Sequence, residues 1–311
     1  MKGKDSGLAI GFVGLGVMGT PMVTHLHRHG HTVALHDLQQ AHAQQLATRL
    51  GERAFACTTP REVAACSDIV ITMLPNGGVV QEVTFGEYGL AAGFRPGSLL
   101  LDTSSAEPWL TQDTAQRLAM QQVSMVDAPV SGAQWGAEAA NLVFMVGGSP
   151  EDLERVRPVL ACMGPAIFHL GALGAGHSMK CINNLITAIT LTATAEGLVI
   201  GKACGLDPAA MVKVMNESTS GSWISQTHIE QRVLSRSFDD PFKLALMLKD
   251  MGIAHALARD HQIPAPLSGL GFQLWQAASR AAGEGASVSE IVRWIEQMAS
   301  TDITPGARVG A

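Results

Sequence analysis

Residues 10–19 read Ile10-Gly11-Phe12-Val13-Gly14-Leu15-Gly16-Val17-Met18-Gly19. An apolar, β-prone run meets three glycines at the spacing GxGxxG, and a segment with helical periodicity follows. This predicts a strand, a tight turn and a helix N-terminus in succession. In that setting Gly14 permits the turn, Gly16 lets backbone approach a pyrophosphate, and Gly19 lets helix and strand pack closely, with the phosphates at the positive helix end. Gly14, Gly16, Val17, Met18 and Gly19 are therefore the candidate cofactor-binding turn. Asp37 lies 18 residues beyond Gly19, at the end of the next predicted strand, where a carboxylate can hydrogen-bond both ribose hydroxyls. A carboxylate repels a 2′-phosphate, and Leu38-Gln39-Gln40-Ala41 offers no Arg or Lys to receive one. The expected cofactor is NAD rather than NADP.

Outward from this stretch, β-rich runs at 8–13, 32–36, 69–73, 98–101, 124–127, 142–146 and 166–169 alternate with helical segments at 18–28, 40–50, 108–121 and 151–162. Alternation of this kind predicts a doubly wound, mainly parallel α/β sheet of the Rossmann type. Beyond the glycine-rich stretch 171–176 the β signal fades, and helices are predicted at 179–204, 208–215, 242–260 and 289–299. The expected organisation is a dinucleotide-binding domain over 1–171, an all-α domain over 172–299 and a frayed tail over 300–311.

The chain has 311 residues, 47% of them apolar and 15% charged, with 33 Gly and 14 Pro: the composition of a folded protein with room for two cores. A formal net charge of −6 provides no positive field for a phosphate backbone, so nucleic acid is not an expected partner. The five cysteines are scattered without CxxC spacing, which argues against a disulfide framework or a zinc site and for a reducing cytoplasm. MKGKDSG is short and polar and does not read as a secretory leader. The long apolar stretch 182–201 carries Asn183, Asn184, four threonines and Glu196, so a buried helix is expected in place of a membrane span.

Two further segments bring chemistry-bearing residues together. Asp127-Ala-Pro-Val-Ser131-Gly132-Ala133 follows a predicted strand and can present a hydroxyl and backbone N–H groups to an anion. In Gly174-Ala-Gly176-His177-Ser-Met-Lys180-Cys-Ile-Asn183-Asn184 the lysine and Asn184 stand at i and i+4 on one helical face, just past a predicted hinge between domains, where ligands bind. There an ammonium can serve as general acid to an oxygen developing negative charge, with the amide holding that oxygen or a neighbour in place. His177 lies three residues before Lys180, where it lines the hinge or tunes the lysine. The tract His25, His27, His29 and His31 has i, i+2 spacing, which does not converge on a metal in a helix; no metal is expected.

GFVGLGVMGTPM (11–22), ITMLPN (71–76), DTSS (102–105), DAPVSGAQWGAE (127–138), GAGHSMKCINN (174–184) and FKLALMLKD (242–250) together resemble the β-hydroxyacid dehydrogenases, the family of 3-hydroxyisobutyrate dehydrogenase and tartronate semialdehyde reductase. The resemblance implies that Lys180 is the acid/base for alcohol–carbonyl interconversion and Asn184 positions the substrate. It further implies that Ser131 and Gly132 bind a carboxylate, that Leu74, Pro75, Ser105 and Lys249 contact the cofactor, and that Phe242 and Asp250 shape the substrate pocket. Ala133 stands where the family's turn has a second glycine, and Trp223 resembles a tryptophan of 3-hydroxyisobutyrate dehydrogenase, with helix packing the competing role. The implied activity is NAD-dependent hydride transfer to or from a small 3-hydroxy acid, in a homodimer or homotetramer. The alternatives are reduction of a tartronate or sulfonated semialdehyde or of a C=N bond, and a non-catalytic cofactor-binding scaffold. Retention of Lys180 and Asn184 weighs against the last two.

Overall fold

A computed structural model describes residues 7–306; the outer part of the predicted tail, 307–311, lies outside the described residues. Two compact units are formed, divided between Lys180 and Cys181.

Among the described residues, unit 1 contains nine strands: β1 (Ala9–Val13), β2 (Thr32–His36), β3 (Ala54–Ala56), β4 (Ile69–Thr72), β5 (Leu99–Asp102), β6 (Ser124–Asp127), β7 (Val130–Ser131), β8 (Val143–Gly147) and β9 (Ala166–Gly171). Their order in the sheet is β3-β2-β1-β4-β5-β6-β8-β7, with β9 paired to β8. The first six are parallel and follow the 3-2-1-4-5-6 order of a doubly wound Rossmann fold, while β8 runs antiparallel to β6 and β7. β4 and β5 are buried at every position, as strands covered on both faces must be. Alternate residues then serve two cores: Ile69, Ile71, Leu99 and Leu101 on one side, Val70 and Leu100 on the other.

The helices of unit 1 are α1 (Gly19–Arg28), α2 (Gln40–Leu50), α3 (Pro60–Ala65), α4 (Gly77–Phe85), α5 (Pro108–Ala119), α6 (Ala133–Glu138) and α7 (Pro150–Ala161). The sequence reading lacked α3, α4, α6, β3 and β7. Of these, α3 and α4 owe their starts to capping side chains: Thr59 accepts from Glu62 N, and Asn76 accepts from Val79 N.

α8 (Ala175–Ala203) begins in unit 1 and continues into unit 2, followed by α9 (Pro208–Asn216), a π-helical segment (Ile224–Leu234), α10 (Leu244–Asp260), α11 (Pro266–Ala282) and α12 (Glu290–Ala299). Ala188, Leu191, Ala195 and Leu198 of α8 point into the unit 2 core, which also buries Trp275 of α11; the Trp275 indole donates to Thr192 Oγ1 at 2.9 Å. Thr187, Thr190, Thr192 and Thr194 each return their hydroxyl to the carbonyl four residues back. By length and composition α8 could cross a membrane; half of its apolar window is buried inside the protein. α11 was absent from the sequence reading, which placed no element between 260 and 289. Gly271 is there for close approach, since a Cβ on it would collide with the Ile189 side chain.

The stretch 171–176, read as a hinge, lies within unit 1 and packs closely there. α8 starts at Ala175, earlier than expected, and a Cβ on Gly176 would collide with the Met145 carbonyl oxygen and crowd Asp127 Oδ2 at 2.8 Å. Backbone oxygen cannot move aside as a side chain can. Gly176→Ala is therefore expected to destabilise the protein by about 1–3 kcal/mol, the usual range for overpacking, as measured by urea unfolding.

Candidate active site

At the end of β1 the chain turns at Gly14, φ +97°, and Gly14 N donates to His36 O at 3.0 Å, tying the turn to β2. A Cβ on Gly19 would strike the Gly14 carbonyl oxygen, but one on Gly16 would meet nothing within 4 Å. The fold itself therefore demands glycine at 14 and 19, whereas Gly16 faces open space where a pyrophosphate can approach. Val17, 61% exposed, and half-buried Met18 complete the loop into α1. Asp37 Oδ2 accepts from Leu15 N at 2.7 Å and Oδ1 from Gln39 N at 2.9 Å, so the carboxylate joins the glycine turn to the end of β2. Its remaining lone pairs are available to ribose hydroxyls. No side chain caps α2, so Asp37 is not spent on that role. These features fit a dinucleotide.

β4, β5 and β6 end in Thr72, Asp102 and Asp127, all buried. Asp102 Oδ1 accepts from Thr72 Oγ1 at 2.9 Å and from Ser104 N at 3.1 Å, and Ser104 Oγ accepts from Leu74 N at 2.9 Å. The loops carrying Leu74, Pro75 and Ser105 are thus fastened together at the carboxyl edge of the sheet, where open α/β sheets bind ligands. Asp127 accepts from Gly174 N at 2.7 Å and His177 N at 2.8 Å. One turn beyond His177, Lys180 is 8% exposed, and one turn further Asn184 is 5% exposed. Ser131 closes β7, and the chain turns at Gly132, φ +130°, and Ala133, φ +53°, into α6. Ala133 thus occupies the left-handed region that favours glycine; the turn survives the change of residue under local strain.

In unit 2, Asn184 Nδ2 donates to Asp250 Oδ2 at 2.6 Å and Lys249 Nζ lies 3.2 Å from Asp250 Oδ1. Adjacent residues of a helix point about 100° apart, and the long Lys249 side chain reaches back to the carboxylate. Phe242, just before α10, packs on the unit 2 core, and Trp223, 55% exposed, sits at the start of the π-helical segment with its ring 6.2 Å from that of His228. Trp223 is therefore not buried helix packing within this chain.

Sequence reasoning missed Asp102 and Asp127 as site-building residues and placed His177 on a hinge. Their signal was a carboxylate closing an apolar strand, twice over. His25, His27 and His29 bond three separate carbonyls, of Glu138, Glu52 and His25, and His31 accepts from Leu8 N. Burial, helped by His29 and Arg53, holds the His31 imidazole below its usual range.

Residues 9–171 match the family described as the NAD binding domain of 6-phosphogluconate dehydrogenase, and residues 174–295 that described as NAD-binding of NADP-dependent 3-hydroxyisobutyrate dehydrogenase. The chain belongs to the β-hydroxyacid dehydrogenase family. As a member it is an NAD(P)-dependent oxidoreductase acting on CH–OH groups, with NAD as its cofactor. It is 36% identical to 2-(hydroxymethyl)glutarate dehydrogenase of Eubacterium barkeri, over 97% of this chain and 99% of that one. It is 37% identical to 3-hydroxyisobutyrate dehydrogenase of Pseudomonas aeruginosa, over 91% and 96%. The structure of Mycobacterium tuberculosis 3-hydroxyisobutyrate dehydrogenase with L-serine superposes with a TM-score of 0.84 at 31% identity, covering 93% of this chain and 99% of that one.

Removing the Asp37 carboxylate deletes charge-assisted hydrogen bonds to the ribose and the repulsion of a 2′-phosphate. Asp37→Ala is expected to weaken NADH binding about tenfold or more and to narrow the gap to NADPH, read by fluorescence titration with each nucleotide.

Proposed function

We propose that this β-hydroxyacid dehydrogenase oxidises small 3-hydroxy acids of the form HO–CH2–CHR–COO⁻, with 3-hydroxyisobutyrate the reference member. The single observation that carries this reading is Lys180, buried in the second turn of α8 with Asn184 one turn on, in a chain that holds a dinucleotide turn intact. The relatives' named compounds support the substrate class. 3-Hydroxyisobutyrate, 2-(hydroxymethyl)glutarate and L-serine share the hydroxymethyl carbon next to the carbon bearing the carboxylate and differ only in R.

Gly14, Gly16, Gly19 and Asp37 hold the nucleotide in this reading. Bound NAD supplies the hydride acceptor. Lys180, as the neutral amine, takes the hydroxyl proton during oxidation and returns it in reduction. Asn184, fixed by Asp250, presents its amide to the reacting oxygen or its neighbour, and the turn at Ser131 and Gly132 receives the carboxylate.

NADH formation with 3-hydroxyisobutyrate, L-serine and 2-(hydroxymethyl)glutarate tests the reading and ranks R. Lys180→Ala is expected to lower kcat by about 10²–10⁴-fold while leaving NADH binding intact; full turnover by that variant would remove Lys180 from the chemistry.

We also infer self-association. Ile182, Ile186 and Ile200 are 41%, 59% and 65% exposed and lie on one face of α8, an apolar stripe suited to a second copy. Sedimentation is expected to return a dimer or tetramer mass, and Ile186→Glu to lower it.

A further inference from the structure

β4 and β5 pair from Ile69↔Leu99 to Thr72↔Asp102, always at an offset of 30 residues. Thr103 N donates to Thr72 O at 2.9 Å, and there the strand ladder ends. Beyond it lie Leu74 N in the loop 73–76 and Gly77 N at the start of α4, and each is received by a side chain of the loop 103–107. Ser104 Oγ accepts from Leu74 N at 2.9 Å, and Glu107 Oε2 accepts from Gly77 N at 2.9 Å. Both pairs keep the offset of 30, so side-chain oxygens continue the register of the sheet where its carbonyls stop. The two acceptors are themselves fixed. Ser104 is fully buried, with its N–H donated to Asp102 Oδ1 at 3.1 Å, and the Glu107 carbonyl starts α5 by accepting from Leu110 N at 3.0 Å and Thr111 N at 3.1 Å. Gly77 is fitted to its partner, since a Cβ there would come within 2.7 Å of Glu107 Oε2.

The dinucleotide turn gives these two rungs a purpose. Asp37 at the end of β2 is placed for the adenosine ribose and the turn after β1 for the pyrophosphate. In the strand order β2-β1-β4-β5 the nicotinamide half then extends over the ends of β4 and β5. We propose that Ser104 and Glu107 are positioning residues for that half, two side-chain rungs that set the spacing between the loops 73–76 and 103–107 on which it rests. Pro75 and Ser105, which the family resemblance puts against the cofactor, lie between the rungs at the same offset. Neither Ser104 nor Glu107 has to touch the cofactor: each acts through the backbone of the opposite segment. Apolar packing of Leu74 alone would let the loops slide, whereas a directional bond at either end of the span fixes their separation. The placement of the nicotinamide rests on the dinucleotide reading of the β1 turn; neither the substrate nor the role of Lys180 enters into it.

NADH and ADP separate the two halves of the site, because ADP carries the adenosine and the pyrophosphate and nothing beyond them. Ser104→Ala removes the first rung and leaves Leu74 N without its acceptor. Calorimetric titration is expected to show NADH binding weakened roughly three- to tenfold, the scale of one hydrogen bond, with ADP binding changed by less than about twofold, as for a site remote from the substitution. Glu107→Ala, at a half-buried position, is expected to give the same split and carries the test by itself if Ser104→Ala does not fold. Equal weakening of NADH and ADP would mean a general loosening of unit 1 and would overturn the positioning role. Undiminished NADH binding in both variants would overturn it as well. Failure of the 3-hydroxy acid reading would appear separately, as absence of NADH formation by the unaltered protein, and would leave the split between the two ligands as expected.

Discussion

The carboxylate of Asp127 joins the sheet to α8, the helix that carries Lys180 and Asn184. From the end of β6 it accepts the backbone N–H groups of Gly174 and His177, the second of them 50 residues away, doing for α8 what an N-cap side chain does for most helices. Gly174 sits at the cap position and has no side chain to offer, so the bond must come from elsewhere in the fold. A carboxyl group accepting two backbone N–H groups in a buried site, at the positive end of a 29-residue helix, makes a strong and directional tether. Gly176 is part of the same constraint, because only the absence of a Cβ lets the helix come near enough for both bonds to form.

This tether gives the two ends of the dinucleotide-binding unit a common design. At β1, glycine permits close approach and Asp37 bonds to a backbone N–H of the opposing turn; at β6, glycine again permits close approach and Asp127 bonds to a backbone N–H of the opposing helix. Between them, Thr72, Asp102 and Ser104 cross-link the strand ends. The carboxyl edge of the sheet is thus held by directional polar bonds as well as by apolar packing, which alone would tolerate sliding.

Much of this was legible in the amino-acid sequence because it is local. The continuous apolar runs of β4 and β5, the glycine spacing after β1 and the position of Asp37 each follow from a few adjacent residues. The short elements were not seen. β3 and β7 are three and two residues long, too short for any periodicity, although Thr59-Pro60-Arg61-Glu62 did carry the capping pattern that starts α3. Glycines were ambiguous at 171–176, where they suggested a hinge and Gly176 marks close packing against backbone distant in sequence. The network around His177 was out of reach for the same reason, since its members are drawn from β5, α5, β6 and α8 and only the fold brings them together.

The threonines of α8 bear on what kind of surface that helix offers. Hydropathy scales score each hydroxyl as a group that wants water. Here Thr187, Thr190, Thr192 and Thr194 have already donated their hydrogens to their own helix. Thr192 and Thr194 are buried, whereas the partly exposed Thr187 and Thr190 present little beyond a methyl group, and covering them strips few water molecules from unsatisfied donors. The helix is in effect greasier than its composition states, and a surface that docks on it can be chosen for shape without having to supply hydrogen-bond acceptors.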